Sequence, residues 1–194
     1  MTMLIIRKLA AAEAAALKAH LLRLDPEDRR LRFGHAVTPE VILATCDAIQ
    51  WEQTWLVGAF EGDELRGVAE LRDLGTAQDS DSGRSGELSV TVERAFQNRG
   101  IGTRLLEEAL LIARNRGFKN LYLQCLPGNP RMQCLARKFS DRIRFEDGDV
   151  EVHIKSPQPD ALSVFAEWFS DGISLWQTMF ERAAAVGGSK TAGT

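Results

Sequence analysis

A six-residue turn, Gln-Asn-Arg-Gly-Ile-Gly at positions 97–102, directly joins a segment of strand period to a segment of helix period. Upstream, Leu88, Val90 and Val92 alternate with polar residues, as in a strand with one buried face. Downstream, apolar residues recur at helical spacing from Ile101 onward. The sequence therefore predicts a strand, a tight turn and a helix in direct succession.

This junction has the features of an anion-binding site. The first N–H groups of a helix have no partner inside it, and the helix dipole adds partial positive charge there. Gly100 and Gly102 carry no side chain that would hold a ligand away from the backbone. A P-loop is excluded because Thr103 and Arg104 follow Gly102. A dinucleotide fingerprint is disfavoured because Leu105 stands where a small residue is expected.

The remaining pattern, Gln-x-x-Gly-x-Gly, resembles the acetyl-coenzyme A pyrophosphate loop of the GNAT family of N-acetyltransferases. The order of the later segments agrees with that family: a strand at 120–126, a helix at 129–139 and a closing hairpin at 143–146 and 150–154. The resemblance covers residues 3–155. It implies an α/β GNAT fold, with a mixed, mostly antiparallel central sheet flanked by helices. Within the family, the resemblance extends more weakly to the domains that acetylate protein lysines.

The resemblance implies which residues contact acetyl-CoA. Backbone groups of the motif strand would pair with the pantothenate arm, the turn would bind the pyrophosphate, and an Asn would lie near the sulfur. These residues are Val90, Val92, Gln97, Asn98, Arg99, Gly100, Ile101, Gly102 and Asn129. Simpler roles are consistent with the same residues, since valines suit core packing and Asn129 suits a helix N-cap. No metal site is predicted.

Glu87 begins the motif strand, on the same side as Ser89 and Thr91. The resemblance implies that Glu87 is the catalytic base and acts through a water, while an ordinary charged strand end is the alternative. Many family members carry a Tyr on the second helix as general acid. Ala136 stands at the matching position, and the acid is therefore unassigned.

Two classes of function are consistent with these residues. An acetyltransferase would move an acetyl group to a primary amine of a small molecule or of a protein lysine. A non-catalytic acetyl-CoA-binding sensor or interaction module would keep the loop without the chemistry. The missing Tyr favours the module, whereas Glu87 and the intact loop favour the enzyme.

Composition narrows the partners. The 194 residues are 44% hydrophobic, which predicts one domain with a substantial core. A net charge of −3, without a basic stripe interleaved with aromatics, argues against nucleic acid as a partner. Cys46, Cys125 and Cys134 form no C-x-x-C pair, so a reducing, cytoplasmic location is predicted. Neither a signal peptide nor a membrane span is predicted.

The remaining segments complete the predicted order. The pattern predicts a strand at 3–8, a helix at 10–24 ended by Asp25-Pro26, and a helix that begins after Thr38 and runs through Cys46. It also predicts a hairpin of 55–60 with 65–71 and a loop at 76–86.

The chain is predicted to contain an acetyltransferase domain at 1–156, an amphipathic helical extension at 157–186 and a flexible tail at 187–194. The extension repeats large apolar residues at three- or four-residue spacing. It is expected to pack back on the domain, with a homodimer interface as the alternative.

Overall fold

The computed structural model describes residues 3–76, 83–139, 143–146, 149–155 and 167. Within them, seven strands form one sheet in the order β1-β2-β3-β4-β5-β7-β6. The strands are β1 (Leu4–Leu9), β2 (Thr54–Glu61), β3 (Glu64–Thr76), β4 (Arg84–Val92), β5 (Phe118–Cys125), β6 (Ile143–Glu146) and β7 (Asp149–Lys155). Only β4 and β5 pair in parallel; every other neighbouring pair in this sheet is antiparallel. The predicted mixed, mostly antiparallel sheet is confirmed.

Helices cover both faces of the sheet. They are α1 (Ala14–Arg23), α2 (Pro26–Phe33), α3 (Pro39–Asp47), α4 (Ile101–Asn115) and α5 (Pro130–Arg137). The predicted apolar stripe of α4 is buried in the larger core cluster, together with Leu88 and Val90. On the other face, α1 and α3 supply Leu17, Leu21 and Ile42 to a second cluster. Side chains of β4 therefore alternate between an α4 side and an α1 side.

The sequence pattern did not predict α2. Asp25-Pro26 ends α1, as expected, but it also starts the next helix. The Asp25 side chain accepts a hydrogen bond from the Asp28 backbone N–H at 2.9 Å, Pro26 fills the first helical position, and Gly34 closes the helix at a φ of 78°. The pair is both a stop and an N-cap signal, and only the stop was inferred from it.

The predicted loop at 76–86 is wrong at its C-terminal end, because β4 already begins at Arg84. The Arg84 guanidinium binds the Asp73 carboxylate at 2.7 Å and lies 4.3 Å above the Phe118 ring. These contacts hold a charged residue inside the sheet, which a polarity pattern does not indicate. Residues 77–82 lie outside the described part of the chain.

The parallel pair β4–β5 separates towards its C-terminal end. Its register runs from Arg84↔Phe118 to Leu88↔Leu123, although β4 continues to Val92 and β5 to Cys125. Residues 89–92 therefore have no ladder partner on β5. A gap opens between the two strands next to the start of α4.

Most of the predicted C-terminal extension, and all of the tail at 187–194, lie outside the described residues. Glu167 is the described exception. Its carboxylate accepts hydrogen bonds from Lys8 and Asn115 at 2.6 Å each and from Arg116 at 2.9 Å, so this residue docks against β1 and the end of α4. No helix in the described part of the chain is long and apolar enough to cross a bilayer.

Candidate cofactor and active site

The turn between β4 and α4 has the backbone shape of an anion site. Asn98 is a non-glycine residue with a φ of 60°, and Gly100 has a φ of 76° at the N-cap of α4. The Gly100 N-cap position supplies no side-chain hydrogen bond to the helix. The first N–H groups of α4 are thus available to a ligand.

A cavity of about 590 Å³ joins this turn to the gap between β4 and β5. Eight of the nine residues predicted to bind the cofactor line it: Val90, Val92, Gln97, Asn98, Gly100, Ile101, Gly102 and Asn129. Arg99 does not line the cavity, and its guanidinium lies 5.3 Å from the centre of the Phe96 ring. The volume falls within the range of small-molecule pockets.

Gln97 ties the turn to three other elements. Its Nε2 donates to the Val92 carbonyl at 2.9 Å and to Asp28 Oδ2 on α2 at 3.2 Å. Its Oε1 accepts a hydrogen bond from Arg131 on α5. The Gln side chain therefore fixes the shape of the turn.

Two cationic side chains of the cavity wall stand near the turn. Arg131 and Lys138 both line the cavity, and Lys138 Nζ donates to Thr103 Oγ1 at 3.0 Å. Together with the start of α4, they make this end of the cavity suitable for a phosphate group. Among the described residues, no three His, Cys, Asp or Glu side chains are placed to share a metal ion.

Asp28 is the carboxylate in the cavity wall. Burial and the neighbouring Asp25 charge raise the pKa of Asp28, against the lowering effect of Arg94. The carboxylate lies 3.8 Å from Arg131 Nη1. Sequence analysis did not identify Asp28, because α2 itself was not predicted.

Asn129 acts as a helix cap, and its predicted contact with a cofactor stays a prediction. Its side chain accepts a hydrogen bond from the Met132 backbone N–H at 3.1 Å, at the N-terminus of α5. Ala136, at the position of the family Tyr, is fully buried.

Glu87 lies at the edge of the site. Its carboxylate accepts a hydrogen bond from Arg72 on β3, and it does not line the cavity. The hydrogen bond that Arg72 donates to Glu87 raises the pKa of Arg72. Ser89 and Thr91, on the same side of β4, do line the cavity. The role of Glu87 as base stays a prediction.

Thr91 belongs to a buried polar network that sequence analysis missed. Its Oγ1 lies 2.9 Å from His20 Nε2, and His20 Nδ1 lies 3.2 Å from Glu93 Oε1. Glu93 also accepts from Arg23 Nε at 2.8 Å and Arg66 Nη1 at 3.2 Å. Burial raises the pKa of Glu93. Hydrogen bonds from His20 and Arg23 lower it by more than burial raises it, so the net shift of this pKa is downward. The one sequence signal was a His within the apolar stripe of α1.

Known proteins with a similar sequence pattern and fold include acetyltransferases of one family. A family model described as the acetyltransferase (GNAT) family matches residues 19–140. The fold is similar to the GNAT domain of S. lividans PAT, with 21% identity and a TM-score of 0.65 over 77% of this chain and 89% of that chain. No curated protein sequence matches this chain.

Two further similar structures were solved with a bound cofactor. The yncA protein of Salmonella typhimurium, solved with its cofactor acetyl-CoA, is 20% identical with a TM-score of 0.59, over 82% of this chain and 99% of that chain. The paia N-acetyltransferase of Thermoplasma acidophilum, in complex with coenzyme A, is 20% identical with a TM-score of 0.58, over 79% and 99%. At these identities the similarity shows the fold.

Proposed function

The chain belongs to the GNAT acetyltransferase family, and on that premise we propose that it transfers the acetyl group of acetyl-CoA to a primary amine on a small molecule or a protein lysine. Acetyl-CoA is the cosubstrate of this family. The observation that carries the proposal is the cavity that joins the start of α4 to the gap between β4 and β5.

The cofactor would lie along this cavity. Its pyrophosphate would bind the backbone N–H groups at 98–102, with Arg131 and Lys138 nearby. Its pantetheine arm would pair with the backbone of Val90 and Val92, which have no ladder partner on β5. Asn129 would contact the arm near its sulfur. An amine could then reach the thioester from the α1–α2 side, where Leu31, Ser89 and Thr91 form the wall.

Acetyl transfer to an ammonium group requires the loss of a proton before attack. Glu87 would accept this proton through a water. The support is its position on β4, two residues before Ser89, and a side chain 29% exposed that can exchange protons with solvent.

Binding is tested by thermal denaturation. Acetyl-CoA should raise the melting temperature by mass action, whereas NAD and ATP at the same concentration should not. Gly100→Val is the matched variant, because a φ of 76° is unfavourable for valine and the turn would lose its shape. Gly117→Val is its control, since Gly117 has a similar φ of 72° but lies at the other end of α4. No shift in the parent, or an undiminished shift in Gly100→Val, would contradict the proposed site.

Turnover is tested by release of thiol from acetyl-CoA with polyamines, amino acids, aminoglycosides and lysine peptides as acceptors. The acetyltransferase requires release that depends on an acceptor. Binding of acetyl-CoA without release across this panel would favour the alternative, a sensor or interaction module, which the buried Ala136 at the Tyr position supports.

Two further proposals concern the cellular location and the oligomeric state of the protein. None of the three cysteines forms a disulfide, which supports a reducing, cytoplasmic location. For the extension at 157–186, packing on the domain stays the prediction and a homodimer interface the alternative, and the mass of the protein in solution would distinguish them.

A further inference from the structure

The hydrogen bonds of His20 have a direction that follows from chemistry. The pKa of Glu93 is lowered, so its carboxylate is ionised and only accepts; His20 Nδ1–H must donate to it. A neutral imidazole then has a lone pair at Nε2, and the Thr91 hydroxyl donates to that lone pair. The Thr91 oxygen keeps its own lone pairs for a donor in the cavity. Carboxylate, imidazole and hydroxyl thus follow one another from the interior to the cavity wall.

Charged side chains surround the inner end of this hydrogen-bonded series. Glu93 faces His20 from the end of β4, and behind Glu93 lie Arg23 of α1 and Arg66 of β3. Against the effect of burial, hydrogen bonds from His20 and Arg23 lower the pKa of Glu93, so its ionised carboxylate holds the hydrogen of the ring at Nδ1. His20 is 0% exposed, so a proton on its ring does not exchange directly with bulk water.

We propose that Thr91, His20 and Glu93 form a proton relay that takes a proton from the attacking nitrogen and delivers a proton to the departing thiolate of CoA. This proposal rests on the acetyl transfer proposed above. It assigns Thr91, which lines the cavity, as a catalytic residue that would exchange protons with the reacting nitrogen and sulfur, and His20 and Glu93 as positioning residues. It also supplies the general acid that Ala136 does not provide.

The neutral amine attacks the thioester carbon: an N–C bond forms, and the π electrons of the C=O bond move to its oxygen. The nitrogen then gives a proton to Thr91 Oγ1 while the Thr91 proton passes to His20 Nε2. The C=O bond re-forms as the C–S bond breaks, and the C–S electron pair goes to sulfur. The thiolate takes a proton from Thr91 as His20 returns its own, so the relay ends unchanged.

The proton count explains why two routes are needed. An ammonium acceptor loses two protons, while CoA thiol takes up one. The first proton leaves to solvent through Glu87, as proposed above, and the second moves from nitrogen to sulfur. A sealed relay suits the second transfer, because it can release its proton only through Thr91.

Kinetics of Thr91 variants test the relay. Thr91→Val keeps the shape but removes the hydroxyl, and it should lower kcat by roughly 10² or more while the Kd for acetyl-CoA changes by less than about threefold. Thr91→Ser should recover most of the activity. The matched control is Thr54→Val on β2, which is 5% exposed, lies outside the cavity and should leave kcat near the parent value.

Either of two results would overturn the relay. If Thr91→Ser is as slow as Thr91→Val, the hydroxyl is not the active feature. If Thr91→Val weakens acetyl-CoA binding but leaves kcat unchanged, Thr91 only binds the cofactor. Failure of the proposed function shows separately, as an absent acetyl-CoA melting shift in the parent protein.

A second measurement needs no acceptor. Imidazole ¹⁵N shifts report which ring nitrogen carries hydrogen, and the His20 signals are assigned by their loss in His20→Gln. At neutral pH the relay requires Nδ1–H with a bare Nε2. A hydrogen on Nε2 would make Thr91 the acceptor of that bond, and the relay would be overturned whatever the turnover.

Discussion

Strand β4 has one carboxylate in its N-terminal half and another directly after its C-terminal end, and these two sites, the open end and the sealed end, differ in environment. Glu87 has a side chain 29% exposed and binds Arg72 across the sheet. Glu93, just after the strand, is 11% exposed and is contacted by His20, Arg23 and Arg66. The same residue type, six positions apart, is open to water at one end and sealed at the other.

Because the two carboxylates differ in exposure, one strand can serve two proton transfers. A carboxylate in contact with water can pass a proton to bulk solvent. A buried carboxylate held by cations keeps its charge and acts through its neighbours. The open end therefore suits the proton that leaves the site, and the sealed end suits the proton that must reach sulfur.

The largest expected effect is a loss of kcat whose dependence on pH differs between variants at the open end and at the sealed end. Glu87→Gln should lower kcat by roughly 10² or more near neutral pH, with acetyl-CoA affinity almost unchanged. At high pH the amine sheds its own proton, so this loss should shrink. The loss in Thr91→Val should persist, because the nitrogen still has to give up a proton after it attacks the thioester carbon. The measurement is the pH–rate profile of each variant.

A Glu87→Gln profile that runs parallel to the parent would assign Glu87 a structural role through Arg72. The control is Arg72→Gln, which removes the ion pair but keeps the carboxylate. It should lose much less activity than Glu87→Gln.

The second prediction concerns stability. Glu93→Ala removes hydrogen bonds to three cationic or imidazole donors in a buried setting, and it should lower the free energy of unfolding by about 2 kcal/mol. Glu87→Ala loses a partly exposed ion pair and should cost less than about 1 kcal/mol. Urea denaturation of both variants measures the difference. Equal losses would show that the two ends are energetically alike.

The third prediction is that acid reduces the difference in unfolding free energy between the parent and Glu93→Ala. The pKa of Glu93 is lowered in the folded protein, so its contribution to stability is present above the ordinary Glu value of 4.5 and is lost as pH falls through the folded pKa. Glu93→Ala lacks this contribution. The difference in unfolding free energy between parent and variant should therefore be smaller near pH 3 than at pH 7. A constant difference would mean that Glu93 contributes only packing.

The open end was easier to predict from sequence than the sealed end. The strand, turn and helix around 88–113 follow from local periods and two glycines, and the structure confirms them. Glu87 was found through family position and strand parity. In the sealed network, His20 contacts Thr91 and Glu93, which follow it in the sequence by 71 and 73 positions. No local sequence pattern indicates contacts between residues so far apart.

The missed helix α2 shows the same limit. Asp25-Pro26 is a valid stop and a valid start, and the packing of α2 against β4 supports the start. Because α2 was missed, Asp28 and its contact with Gln97 were missed as well. The wall of the cavity on the acceptor side thus depended on tertiary structure.

The smallest expected effect concerns Asp28, a partly buried carboxylate whose cationic neighbours Arg94 and Arg131 lie 3.7 Å and 3.8 Å away, farther than Arg23 and Arg66 lie from Glu93. Burial and Asp25 raise the pKa of Asp28, whereas the net shift of Glu93 is downward. Asp28 contacts Gln97 of the turn, so its charge opposes a bound pyrophosphate. Asp28→Asn should tighten acetyl-CoA binding by about threefold at pH 7, the effect of one partly screened charge.

As pH falls towards the raised pKa, Asp28 becomes neutral in the parent, and the ratio of the two Kd values should approach one. Titration calorimetry at several pH values measures this ratio, in which the ionisation of CoA itself cancels. A ratio near one at every pH would mean that Arg94 and Arg131 already compensate the charge of Asp28, and that its environment resembles that of Glu93 after all.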